Sequence, residues 1–200
     1  LTITINFCLM ELFFMEAIWQ LEIQITLFFQ SLGDWLIPIM KGVSFLGNEE
    51  FYLIIMPFLY WCVNSTIGAR VAIMMLLSNG LSAPLKLAFH SPRPYWVDAQ
   101  VTGIISEISF GLPSGHAQNA ASIWGALAVS FKKRWVTLMV IFVVFLIGLS
   151  RIYLGVHFTS DVLAGWLIGG LFILGLVKFE KPMVEWFKRL TFEQSLIAAL

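Results

Sequence analysis

Five apolar runs, at 51–63, 71–85, 117–131, 135–149 and 162–177, constrain this chain more than any other feature. Each holds only 13–16 strictly apolar residues, whereas a helix crossing the hydrocarbon of a bilayer takes about 20. Helices built on these runs must therefore continue into their polar flanks, which places any chemistry carried by the flanks at the membrane surface. Hydrophobic residues make up 59% of the chain, charged residues 12%, and the mean hydropathy is +0.86. A soluble domain carries about 25% charged residues, so a water-soluble fold is excluded.

The expected class is all-α: one integral-membrane bundle of five to six transmembrane helices filling residues 1–200. Residues 1–40 form an N-terminal interfacial or first-span segment, 41–178 a core, and 179–200 an interfacial tail. Glu11, Glu16, Glu22 and Asp34 interrupt the apolar N-terminal stretch, and an amphipathic helix at 16–32 lying in the interface is preferred there to a full span. Mixed charge around Trp186 and Phe187 gives 180–194 the same reading. The first ten residues lack the basic start of a signal peptide. The apolar ending "SLIAAL" reads as a chain that continues. Cys8 and Cys62 lie in apolar runs and are read as small hydrophobes. Twelve acidic and twelve basic residues leave no electrostatic footprint for nucleic acid.

Within the spans, Gly165 and Gly169 form a small-xxx-small pair suited to close helix packing. Asn79 and Ser82 are expected to bond to neighbouring helices, and Pro84 to kink its own. If the spans alternate, one face carries Lys41, Lys86, Arg93 and Arg151. The other carries Arg70, Lys132, Lys133, Arg134, Lys178, Lys181, Lys188 and Arg189. Eight basic residues against four mark the second face as cytoplasmic.

Three clusters then meet on the outward face: "KLAFHSPRP" at 86–94, "PSGH" at 113–116 and "SRIYLGVHFTSD" at 150–161. Lys86, Arg93 and Arg151 are cations without a matching set of anions, and the planar fork of arginine suits phosphate oxygens. "PSGH" puts a hydroxyl and a glycine N–H at a helix start, where backbone donors point toward an anion. His157 and Asp161 are four residues apart and share a face if helical. The carboxylate can then hold one ring proton and leave the other nitrogen free to attack, with His116 as acid and later as base.

Lys-x6-Arg-Pro, Pro-Ser-Gly-His and Ser-Arg-x5-His-x3-Asp, in that order, resemble the tripartite signature of the type 2 phosphatidic acid phosphatase (PAP2) superfamily. That superfamily also holds vanadium haloperoxidases and glucose-6-phosphatase. The resemblance covers about residues 41–178 and implies a PAP2/haloperoxidase-like core, commonly of six spans. It implies phosphate binding by Lys86, Arg93, Ser114, Gly115 and Arg151. His157 is implied as the nucleophile that becomes a phosphohistidine, Asp161 as its partner and His116 as the general acid. No metal or other cofactor is implied, in keeping with three nearby cations that would repel Mg²⁺ or Zn²⁺. "FHSPRPYW" and "SEISFGLPSGHA" look most like bacterial lipid phosphatases and loosely like sphingosine-phosphate phosphatases.

The expected activity is removal of phosphate from a membrane lipid phosphate or pyrophosphate, in the cell (inner) membrane, with the site on the periplasmic, extracellular or lumenal side. Two rivals stand beside it: a lipid phosphotransferase, and a non-catalytic lipid or anion carrier on the same fold. Around the motifs, His90 is given a structural or gating role. Asp98 and Glu107 are read as solvated loop charges, with tuning of the cationic pocket or contact with a substrate headgroup the alternatives for Glu107. Tyr95 and Trp96 are read as interfacial anchors that can also flank a lipid entrance.

Overall fold

A computed structural model of the protein describes residues 2–190, without the side chains of 2–15 and 187. The described residues are helices and connecting loops: α1 (Thr2–Gln30), α2 (Ile37–Phe45), α3 (Glu49–Phe58), α4 (Ser65–Phe89), the short α5 (Pro94–Val97), α6 (Gly115–Asn119), α7 (Gly125–Phe131), α8 (Arg134–Tyr153) and α9 (Thr159–Arg189). A π-helical turn at Leu59–Val63 prolongs α3, and another at Ala120–Trp124 joins α6 to α7.

Three helical segments are long and apolar enough to cross a membrane by themselves: Ser65–Val97, Arg134–Tyr153 and Thr159–Trp186. They carry three of the expected spans, at 71–85, 135–149 and 162–177. A fourth crossing is possible in length and composition if Glu16–Gln30 and Asp34–Phe45, which meet at 84°, count as one broken unit. The expected spans at 51–63 and 117–131 are helical too, but their helices stop short of the roughly 20 residues that a full crossing takes.

The helices partition side chains as a lipid-facing bundle must. Leu76, Leu138, Ile141, Leu167, Leu171 and Leu174 point outward, whereas Ser78, Gln118, Asn119 and Ser122 are buried. Between apolar surfaces in lipid there is little hydrophobic gain, so close approach and hydrogen bonds hold the helices together. Gly165 and Gly169 provide the close approach, as expected. A Cβ on Gly165 would sit 2.6 Å from the Ser114 carbonyl oxygen, and one on Gly169 would sit 2.5 Å from the Ala121 Cβ. The hydrogen bonds join α6 to α4: Gln118 Nε2 donates to the Ser78 carbonyl (2.7 Å) and Asn119 Nδ2 to Asn79 Oδ1 (2.9 Å). Asn79 thus makes the expected contact, while Ser78 takes the part expected of Ser82.

At the two termini the structure adds detail to the sequence reading. In α1 one polar stripe faces the protein: Glu22 and Thr26 are buried, and Gln30 donates to the carbonyls of Thr102 (2.7 Å) and Tyr153 (3.1 Å), whereas Glu16, Gln20 and Gln24 on the rest of the helix are exposed. A four-residue polar spacing gives one helical stripe whichever way it points, and here it points inward. The region from 180 continues α9 as far as Arg189 without forming a separate surface helix, and residues 191–194 lie outside the described residues. Its Glu180 receives Arg70 Nε (2.6 Å) and Nη2 (2.8 Å), and Arg70 Nη1 donates to Ser130 (2.8 Å). Those three residues mark one end of the bundle. Lys86, at the far end of α4, marks the other.

Replacing Gly169 with alanine puts a methyl group against Ala121 and the Gln118 carbonyl. The expected cost is about 1–3 kcal/mol, typical of overpacking, read as a lowered thermal midpoint of the purified protein in detergent. An unchanged midpoint would mean that α9 stands away from α6.

Candidate active site

The three sequence clusters converge at the end of the bundle marked by Lys86. Helices α4 and α8 end there, while α6 and α9 begin there. The turn between α8 and α9 presents His157, and the first turn of α9 presents Asp161. Both are buried, at 1% exposure each. His157 Nδ1 lies 3.2 Å from Asp161 Oδ2, which also accepts the Phe158 N–H at 3.0 Å. The Asp161 carbonyl accepts the Ser114 N–H at 3.0 Å and so joins the second cluster to the third. Asp161 thereby fixes the imidazole, whose Nε2 lies 3.4 Å from Arg93 Nη1.

Arg93 and Arg151 are fully buried guanidinium groups, 0% and 1% exposed. Most of the Arg93 fork is engaged by backbone. Nε donates to the Ser109 carbonyl (2.6 Å), Nη1 to the Val156 carbonyl (2.7 Å) and Nη2 to the Phe110 carbonyl (3.2 Å). Lys86 Nζ donates to Ser109 Oγ and the Phe110 carbonyl, both at 3.0 Å. Arg151 donates to Ser44 Oγ (2.7 Å) and to Glu107 Oε1 (2.5 Å). Two buried polar atoms of the expected anion site, Arg151 Nε and Ser114 Oγ, have no hydrogen-bond partner among the described residues. Gly115 starts α6 beside them, and His116 Nε2 is bonded to Asn48 Oδ1 in the α2–α3 connection.

All eight expected site residues therefore gather at one place. The reading of Glu107 as a solvated charge is corrected. Its carboxylate bridges the arginines, 2.5 Å from Arg151 and 3.8 Å from Arg93, because two buried guanidiniums without a counter-charge would be costly. The anchor reading of Tyr95 is corrected as well. Its hydroxyl donates to the Glu107 carbonyl (3.0 Å) and accepts the Glu107 N–H (3.2 Å), pinning that residue inside the loop. Trp96 keeps an outward position, Asp98 accepts the Gln100 N–H in a local turn (2.8 Å), and His90 ends α4 with a left-handed backbone, its ring against Phe110.

Sequence reasoning missed Ser44, Asn48 and Ser109, none of which lies in a motif. A cavity of about 530 Å³ opens beside His157, between Glu49, Asn79, Leu87, Phe110 and His116. A smaller one of about 260 Å³ reaches Lys41, Ser44 and Arg151. Glu107 and His116 line both cavities.

A sequence model of the PAP2 superfamily matches residues 67–183. This chain belongs to the PAP2 superfamily. Phosphatidylglycerophosphatase B of Bacillus subtilis is 30% identical over 168 residues, covering 78% of this chain and 80% of that protein. Rat sphingosine-1-phosphate phosphatase 1 is 32% identical over 146 residues, which cover 70% of this chain but only 33% of the longer relative. Among solved structures, the transmembrane PAP2-type phosphatidylglycerolphosphate phosphatase of Bacillus subtilis superposes with a TM-score of 0.71 at 27% identity, over 83% of this chain and 87% of that one. Aquifex aeolicus LpxE gives 0.71 at 25% identity, over 78% and 93%. The all-helical integral-membrane class is thus that of solved PAP2 phosphatases.

Burial, and then the positive charges of Arg151, Arg93 and Lys86, hold the His157 imidazole well below the ordinary histidine pKa. A depressed pKa favours the neutral ring, so His157 is expected to stay uncharged as pH falls through about 6.5, where a free histidine gains its proton. Histidine ¹⁵N shifts followed from pH 8 to pH 5, with the His157 signal assigned by its loss in His157→Ala, check this. A midpoint at or above 6.5 would contradict the burial and the cationic surroundings.

Proposed function

We propose that this chain is a membrane lipid phosphatase that hydrolyses a phosphomonoester or pyrophosphate of a lipid through a phosphohistidine on His157. The observation that carries the reading is the buried His157–Asp161 pair, its ring lining a cavity with Lys86, its Nε2 3.4 Å from Arg93 Nη1, and the positive charges of Arg151, Arg93 and Lys86 acting on it. Asp161 accepts the Nδ1 proton, so the lone pair of Nε2 can attack phosphorus. As the N–P bond forms, the bond from phosphorus to the lipid oxygen breaks, and His116 gives that oxygen a proton. His116 then takes a proton from water, the water oxygen attacks phosphorus, and the N–P bond breaks to release inorganic phosphate.

The cations take up the charge on the equatorial oxygens. Arg93 and Lys86 are already held in place by Ser109 and Phe110. The unpartnered Arg151 Nε and Ser114 Oγ supply donors that the protein itself leaves unused. Gly115 at the start of α6 allows the phosphate close to the backbone. The tail of the lipid stays in the bilayer while its headgroup enters the cavity between α3 and α4. The distribution of basic residues supports a site on the periplasmic, extracellular or lumenal side of the cell membrane.

Purified protein is expected to release inorganic phosphate without added metal from at least one of phosphatidylglycerophosphate, phosphatidate, sphingosine phosphate and undecaprenyl pyrophosphate. His157→Ala is expected to lower the rate by a factor of 10³ or more, the scale seen when a nucleophile is removed. No release from any of the four, or equal release from His157→Ala, would overturn the reading.

Phosphate must also compete with Glu107 for Arg151. Glu107→Gln keeps the shape of the side chain and removes the competing charge, so inorganic vanadate, a phosphate mimic, is expected to inhibit this variant at severalfold lower concentration. Weaker inhibition of the variant would show that the carboxylate supports anion binding and does not oppose it.

A further inference from the structure

Helix α1 lies outside the residues matched by the family model, and none of the motifs draws on it. Its buried Glu22 nevertheless reaches the catalytic turn. Ser160 donates its N–H to Glu22 Oε1 at 2.6 Å and its hydroxyl to Oε2 at 3.1 Å. Ser160 lies in the first turn of α9, where backbone N–H groups have no partner within the helix. A carboxylate there satisfies one of them and interacts favourably with the helix dipole. The neighbouring residue is Asp161, which holds His157, and the Ser114 N–H is bonded to the Asp161 carbonyl. Trp19, in the same helix as Glu22, stacks on Phe158 with ring centroids 6.1 Å apart.

Resting on the phosphatase reading, we propose that Glu22 is a positioning residue for the nucleophile: by clamping both polar atoms of Ser160 it sets the first turn of α9, and with it the direction in which Asp161 aims the His157 ring. The carboxylate does not touch the reacting atoms. Its two hydrogen bonds act through Ser160 on the adjacent Asp161. The orphan cations of the site are held by other elements: Lys86 and Arg93 by the loop at 109–110, and Arg151 by Ser44 and Glu107. Loss of the Glu22 clamp therefore misdirects the nucleophile and leaves phosphate binding in place. A misplacement of about 1 Å in a reacting group costs on the order of 10²-fold in rate.

Three variants separate geometry from charge. Glu22→Gln can still accept the Ser160 N–H and can donate to its hydroxyl, whereas Glu22→Asp keeps the charge but withdraws it by one methylene. Glu22→Ala removes both bonds. Steady-state kinetics on the best lipid phosphate are expected to show kcat at least tenfold lower in the Asp and Ala variants, with KM within twofold of the parent. The Gln variant is expected within threefold on both.

A second readout needs no turnover: the ¹H signal of the His157 Nδ1 proton, assigned by its absence in His157→Ala. It is expected to persist in Glu22→Gln and to broaden or shift in Glu22→Asp and Glu22→Ala. A parent protein that hydrolyses nothing would sink the phosphatase reading, and this proton signal would still decide the positioning role. The positioning role is overturned if Glu22→Asp retains kcat within twofold, if Glu22→Gln falls as far as Glu22→Ala, or if the proton signal is unchanged in all three.

Discussion

Two guanidinium groups removed from water, Arg93 and Arg151, dictate how the connections at this end of the bundle fold. Each would cost several kcal/mol if left without partners. Arg93 is satisfied mainly by carbonyl oxygens, so the segment around 107–110 has to turn its backbone inward, where it also receives Lys86. The Val156 carbonyl, a further Arg93 partner, sits one residue before His157 and ties the turn that carries His157 to the same cation. The irregular backbone of the site is thus a solvation shell for buried charge. Glu107 completes it, and its own backbone is fixed from both sides by the Tyr95 hydroxyl.

In the spans the logic is reversed. Apolar side chains face outward, and the few polar ones are spent on neighbouring helices. Gln118 and Asn119 bond to α4 one turn below His116, while Gly165 and Gly169 bring α9 against the same stretch of α6. The second and third clusters are therefore locked together immediately beneath His116 and His157. Such a lock suits a site that must be rigid, since an imidazole aimed by one carboxylate tolerates little slack.

The residues that act through spacing were legible in the sequence. Lys86, Arg93, Ser114, His116, Arg151, His157 and Asp161 recur at fixed intervals, and alternation of the helices was enough to bring them together. Residues that act through distant pairing were not. Ser44 meets Arg151 from 107 positions away, and Glu22 meets Ser160 from 138; no local pattern marks either. Glu107 was visible as a charge in an outer loop, but its pairing depends on the loop folding back over Arg151, which composition does not encode. The N-terminal helix shows a further limit. Its polar stripe at 22, 26 and 30 has a helical period whether it faces water or protein, and only the buried acceptors and donors opposite it decide. The apolar runs also understated helix length: α9 reaches from Thr159 to Arg189, well past the apolar run at 162–177.

The same inventory of donors bears on which anion the proposed site would favour, a phosphate or a carboxylate. Glu107 engages Arg151 through Nη2 and approaches Arg93, yet it leaves Arg151 Nε and Ser114 Oγ without partners. A carboxylate is planar and has two oxygens, so it cannot serve donors arranged around a point in three dimensions. A tetrahedral phosphoryl group has an oxygen for each direction and carries more charge, about −1.5 to −2 at neutral pH for a monoester. Glu107 is the carboxylate that pairs with the two arginines, and a more highly charged tetrahedral anion answers their donors better than its single charge does. The internal carboxylate is then a weaker occupant of the socket by geometry as well as by charge, adequate to hold the arginines in place and poor enough to give way.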